Sequence, residues 1–80
     1  MLVAEQLLWF KRDCGHEHID TSTFDSAFAY LSRIIADTYR DIVRIGEPDD
    51  GYEQMVYDDL VELHNRAVDL LNALIERGLA

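Results

Sequence analysis

The chain has 80 residues, 16 Asp and Glu against 7 Lys and Arg, a net charge of −9 and 49% apolar residues. That length carries one domain and one core, the single Cys excludes an internal disulfide, and no apolar run approaches the roughly 20 residues of a membrane helix. The charge argues against direct binding to DNA, RNA or an anionic lipid surface, and the apolar share argues against a disordered acidic tail.

The first segment, MLVAEQLLWFKRDC, has no basic start and carries Glu5 inside its apolar stretch. It is therefore not expected to be a secretory signal, and the expected location is the cytoplasm. The spacing predicts a helix over residues 2–14. Val3, Leu7, Phe10 and Cys14 form one stripe, Leu2 and Trp9 lie roughly opposite, and Leu8 points to a third side. A short helix that is apolar nearly all round is buried on several sides. Leu2, Leu8, Trp9 and Phe10 are accordingly expected to meet a second copy of the chain in a homodimer. The plainer alternative is a monomeric three-helix bundle with Trp9 on the surface.

Gly15 ends that segment, and Cys14-Gly15-His16-Glu17-His18-Ile19-Asp20 follows. Alternate residues of an extended stretch point the same way, so Cys14, His16 and His18 could converge, with His64 or Asp20 as a fourth zinc ligand. The spacing does not match a zinc-finger or zinc-ribbon knuckle. The expectation is a polar loop with no metal and no cofactor, Cys14 packing as a small hydrophobe.

A second helix is expected over 23–45, with Ser22 and Asp25 as its start signal. Phe24, Phe28, Leu31, Ile35, Thr38, Ile42 and Ile45 recur at alternating spacings of four and three, with Ala27, Ile34 and Tyr39 widening the seam. Arg33, Asp37, Arg40, Asp41 and Arg44 fall on the other side. Gly46, Pro48 and Gly51 mark a turn, and Asp50 with Glu53 signals a third helix over 51–77. Its apolar positions form two rows: Val56, Leu60, Leu63, Ala67, Leu70 and Leu74, then Tyr57, Val61, His64, Val68, Leu71 and Ile75. Together they cover nearly half the circumference, more than one neighbouring helix covers. The predicted fold is a single all-α domain, 1–80: a small bundle of a long antiparallel helical hairpin plus a short N-terminal helix, dimeric.

Little in the chain points to catalysis, and no enzyme is expected. No Ser or Cys has the setting of a nucleophile. His64, inside the apolar sector, fits a core or interface histidine with one hydrogen bond better than a general base. Arg12 and His18 stand at a spacing used by some helical ribonucleases, but one such pair occurs readily by chance. Glu62 and His64 are two apart, whereas helical di-iron sites need three. Asp59 and Glu62, with Asp37 and Asp41 on the second helix, make a poor match to the facing acidic pairs of helical pyrophosphatases.

The strongest feature is acidic. Glu47, Asp49, Asp50, Glu53, Asp58, Asp59 and Glu62 crowd sixteen residues, and no Lys or Arg occurs between Arg44 and Arg66. Such a face is either a solvated coat or a surface built for a basic partner protein. The expected function is protein–protein interaction, as an inhibitor or adaptor engaging a basic, nucleic-acid-binding type of surface. Small acidic phage-type anti-defence inhibitors and antitoxins illustrate that class. The alternatives are a metal-binding module built on Cys14, His16 and His18, and a structural subunit of a larger helical assembly.

Overall fold

A computed structural model describes residues 1–80. Three α-helices and no strand make up the fold: α1 (Val3–Cys14), α2 (Phe24–Ile45) and α3 (Gly51–Arg77). No helix is long and apolar enough to cross a membrane. α2 packs on α3 along much of its length, and α1 runs antiparallel beside the second half of α3, from Leu79 and Ala80 back to Arg66.

Local chemistry sets the ends of the helices. The Asp50 carboxylate accepts the Glu53 N–H at 2.8 Å, and the Glu53 carboxylate accepts the Asp49 N–H at 3.0 Å. The first bond satisfies a donor that an α-helix leaves unpaired at its start, and the second ties the residue before the cap to the first turn. At α2 the cap is one residue later than the Ser22 signal suggests. The Thr23 hydroxyl accepts the Ser26 N–H, and the Ser26 hydroxyl accepts the Thr23 N–H, both at 3.1 Å. Ser22 is drawn instead to Asp20, whose carboxylate accepts the Ser22 N–H at 3.0 Å. The Ser22 bonds hold the exposed Asp20 carboxyl below its ordinary range. α1 stops at Gly15, whose φ of +72° is left-handed backbone that a side chain disfavours.

The start of α1 has no side-chain cap. The far end of the chain supplies the acceptors. The N–H groups of Val3 and Ala4 donate to the carbonyls of Ala80 and Leu79 at 3.4 and 3.2 Å. Arg77 Nη2 donates to the Met1 carbonyl at 2.6 Å and to that of Ala80 at 3.2 Å. α1 is thereby tied to the last turn of α3.

Nine apolar side chains form the core: Val3, Leu7 and Phe10 from α1, Ala27, Tyr30 and Leu31 from α2, and Ala67, Leu70 and Leu74 from α3. The edge of the Phe10 ring meets Tyr30, with centroids 6.1 Å apart. Full burial of one large apolar side chain contributes about 1.5–3 kcal/mol. Phe10 is only 1% exposed, so it is part of this chain's own core and not, as the sequence suggests, of a surface shared with a second copy.

The α2 seam is also displaced. Tyr30, outside the expected seam, is buried, whereas Phe24 and Phe28, inside it, are exposed. α1 lies on the Tyr30 side and draws the core toward Ala27, Tyr30 and Leu31, leaving the opposite edge uncovered. Lys11 is buried as well, its ammonium donating to the Thr21 hydroxyl at 3.2 Å. Its methylene stem packs as apolar surface.

The molecule measures 42 × 20 × 20 Å. A helix of 12 residues is about 18 Å long, so α1 covers less than half of that length. Toward the turn, Ile42, Ile45, Val56 and Leu60 are only half-buried, because α2 and α3 have nothing but each other there.

Candidate functional site

Along α2 each carboxylate of the polar face has a cation at helical spacing. Asp37 pairs with Arg33 at 3.7 Å and with Arg40 at 3.5 Å, and Asp41 with Arg44 at 3.1 Å. Asp13 on α1 pairs with Arg66 on α3 at 2.9 Å, and the Arg66 guanidinium also lies over the Phe10 ring at 5.3 Å. Arg12 stands 6.0 Å from the Trp9 ring, and Lys11 and Arg77 serve the hydrogen bonds described above. All 7 cations of the chain are thus engaged elsewhere.

Between the turn and the middle of α3 the situation is reversed. Glu47, Asp49, Asp50, Asp58, Asp59 and Glu62 are exposed and Glu53 is half-buried, and none of the seven has an ion-pair partner. Three have local tasks. Asp50 and Glu53 cap α3, and the Asp58 carboxylate accepts from the Gln54 amide at 2.9 Å. The side chains of Glu47, Asp49, Asp59 and Glu62 serve no local bond. In water such an array is a fixed negative field that reaches about one Debye length, roughly 8 Å at physiological salt.

No three His, Cys, Asp or Glu side chains converge on a point that could hold an ion. His18 is exposed, and His16 Nδ1 is engaged 3.0 Å from the Tyr30 hydroxyl. The peptide after Cys14 turns back on α1, with the His16 N–H donating to the Lys11 carbonyl at 2.8 Å, so the extended alternation that would align the three ligands never forms. Cys14 packs against the core, and burial pushes its thiol pKa up, partly offset by its contact with Tyr30. A thiol so placed is a poor nucleophile.

His64 is half-buried, with Nδ1 2.9 Å from the Thr38 hydroxyl, matching a structural histidine with one satisfied bond. Of the residues expected at a dimer contact, Leu2, Leu8 and Trp9 are exposed, Trp9 by 60%. Leu2 and Trp9 share one side of α1 and Leu8 lies on another, so they form no single patch. Sequence reasoning missed the buried Lys11 and the His16–Tyr30 bond. The first runs against the rule that ammonium groups stay outside, and the second joins residues that no helical period relates.

Compared with protein-family models, with characterised proteins and with solved structures, the chain matches none.

Proposed function

We propose that this protein acts by binding another protein, and that the acidic surface running from the α2–α3 turn along α3 engages a basic surface on that partner. The fold in this reading is a helical hairpin, α2 and α3, that carries the charge, with α1 bracing the end opposite the turn. One observation carries the proposal: seven carboxylates stand together without a cation, while every cation of the chain is held elsewhere. Helix capping accounts for Asp50 and Glu53 and for no others. Solubility alone does not call for charge concentrated on one surface, since dispersed charge serves it as well. A local field of one sign accelerates encounter with a partner of opposite sign and rejects like-charged competitors. An occluder of a nucleic-acid-binding surface has this form, because it replaces phosphates with carboxylates.

The test is affinity capture from the source cell with two baits of equal net charge. One has Glu47, Asp49 and Asp59 changed to Lys, and the other has Glu5, Glu17 and Asp25 changed to Lys. These positions lie outside the core, so both variants should keep the helical circular dichroism spectrum. Loss of a salt-sensitive basic partner from the first bait alone supports the reading. Equal recovery by both baits reduces the acidic face to a solvated coat.

A further inference from the structure

α1 lies in a groove between α2 and α3 and fills only part of it. Tyr30 of α2 meets the Phe10 ring, Arg66 of α3 pairs with Asp13, and α1 ends one residue later at Cys14. Between Gly51 and Arg66 about 22 Å of α3 extends past that end. The floor continues along this open stretch. Leu70 is buried in the core with α1, whereas Leu63 and Val56, seven and fourteen residues earlier on the same side of α3, are only half-buried. On α2, Ile34 and Ile45 continue the side of Ala27 and are half-buried too. A cleft opens where α1 stops, lined by Cys14 and His16 and by Asp59, Glu62 and Leu63 of α3.

The α3 rim of the groove changes sign along its length. Arg66, Glu62, Asp59, Met55 and Tyr52 stand at spacings of four, three, four and three, which is one stripe of the helix. At the α1 end of the stripe Arg66 meets Asp13 across the groove at 2.9 Å. Glu62 and Asp59 come next and have no ion-pair partner, and Met55 and Tyr52 beyond them are 57% and 73% exposed. On the facing α2 wall, Asp37 and Asp41 are balanced by Arg33, Arg40 and Arg44. The open half of the groove is thus apolar at its floor and negative along one edge.

We propose, taking the acidic surface as the partner site, that it receives an amphipathic helix of the partner, basic along one edge, seated in the open half of the groove in line with α1. α1 shows what the groove accepts. Val3, Leu7, Phe10 and Cys14 enter the occupied half at spacings of four, three and four, and Asp13 flanks that stripe and reaches Arg66. A helix in the open half meets the same walls with the rim charge reversed. It carries the same apolar spacing, with Lys or Arg at the flank that faces Glu62 and Asp59. About 22 Å accommodates four turns, roughly 14 residues. Apolar burial in such a groove supplies affinity, and the rim charges select the partner and its register. A second copy of this chain, at −9, is repelled by the same rim.

The probe is a synthetic peptide of about 14 residues, with Leu at spacings of four, three and four and Lys along one flank. It is titrated with the full chain and followed by the anisotropy of a fluorescein on the peptide. A scrambled peptide of the same composition keeps the charge and loses the stripe. The ordered peptide should bind about tenfold more tightly than the scrambled one and gain a helical circular dichroism spectrum. Asp59→Lys with Glu62→Lys should weaken it about tenfold, and a peptide with Glu in place of Lys should recover binding to that variant. Methyl resonances of Ile34, Ile45, Val56 and Leu63 should shift on binding. Shifts confined to Val61, Val68 and Ile75 would put the helix on the other side of the hairpin and overturn the proposal. Equal binding of the two peptides also overturns it. That result leaves the acidic surface standing or falling by capture of a basic partner, which does not depend on the groove. A wild type that sediments as a dimer, and as a monomer after Tyr52→Ser with Met55→Ser, makes a second copy the occupant and overturns the proposal as well.

Discussion

Nδ1 of His64 on α3 lies 2.9 Å from the Thr38 hydroxyl on α2, and a third atom decides the direction of that bond. The hydroxyl has one proton, and two backbone carbonyls compete with His64 for it, those of Ile34 at 2.7 Å and Ile35 at 3.1 Å. With the proton on the nearer carbonyl, the hydroxyl oxygen is left to accept, so His64 carries a proton on Nδ1 and donates. This is the one polar link bridging α2 and α3 in an otherwise apolar seam. Thr38→Val should cost about 1–3 kcal/mol in denaturant unfolding, because it leaves a half-buried donor unpaired. Thr38→Val with His64→Leu should recover most of that loss, since no donor then remains. A double variant as unstable as the sum of its singles would show that the two residues do not interact.

Asp50 and Asp59 are both exposed carboxylates of the acidic surface, yet their effects on stability should differ. Asp50→Ala removes the cap of α3 and should cost about 1 kcal/mol. Asp59→Ala touches no bond and should stay within about 0.5 kcal/mol of the wild type. Thermal unfolding of the two variants side by side checks this, and an equal loss would contradict the capping geometry.

Burial of the Tyr30 phenol should make the protein sensitive to alkali. Burial, then the neighbouring Cys14, raises the Tyr30 phenol pKa well above its ordinary value. A group whose pKa is raised on folding contributes stability that is complete below its unfolded pKa and is lost as pH climbs toward the folded one. For a phenol the loss begins at about pH 10. Of the four tyrosines, Tyr30 should ionise last in an ultraviolet titration, and only as the helices melt. The fall in stability above about pH 10 should be shallower in Tyr30→Phe. Cys14, raised in the same sense, should react with a disulfide reagent more slowly in the native protein than in denaturant.

Two neighbours on α1 should respond in opposite ways. Leu7 is fully buried, and Leu7→Ala should cost about 2–5 kcal/mol, a large part of the stability of so small a domain. Trp9→Ser should change the protomer by less than about 1 kcal/mol, since that ring is largely exposed and the Arg12 guanidinium stands 6.0 Å from it. Iodide should quench the Trp9 fluorescence of the wild type readily. Protection from iodide would place Trp9 in a contact that the single chain does not contain.

The three helices were legible in the sequence because their signals are local. Period, capping residues and Gly or Pro stops act within a few residues, and the observed boundaries follow from them. Asp50, Glu53 and Gly15 do what their types and positions imply. The crowding of carboxylates was equally plain, since it needs only a count along the chain. Tertiary structure decided which side of each helix is innermost. An apolar stripe is wider than the contact that buries it, and the position of α1 selected Tyr30 over Phe28 and took Phe10 into the core. That no cation pairs with the acidic surface was likewise a three-dimensional outcome, because Arg66, one turn from Glu62, is held by Asp13, and Arg12 and Arg77 are held farther off. The same holds for the ends of the chain. No period relates Val3 to Ala80, and only the docking of α1 on α3 brings the carbonyls of Leu79 and Ala80 to the unpaired N–H groups at its start.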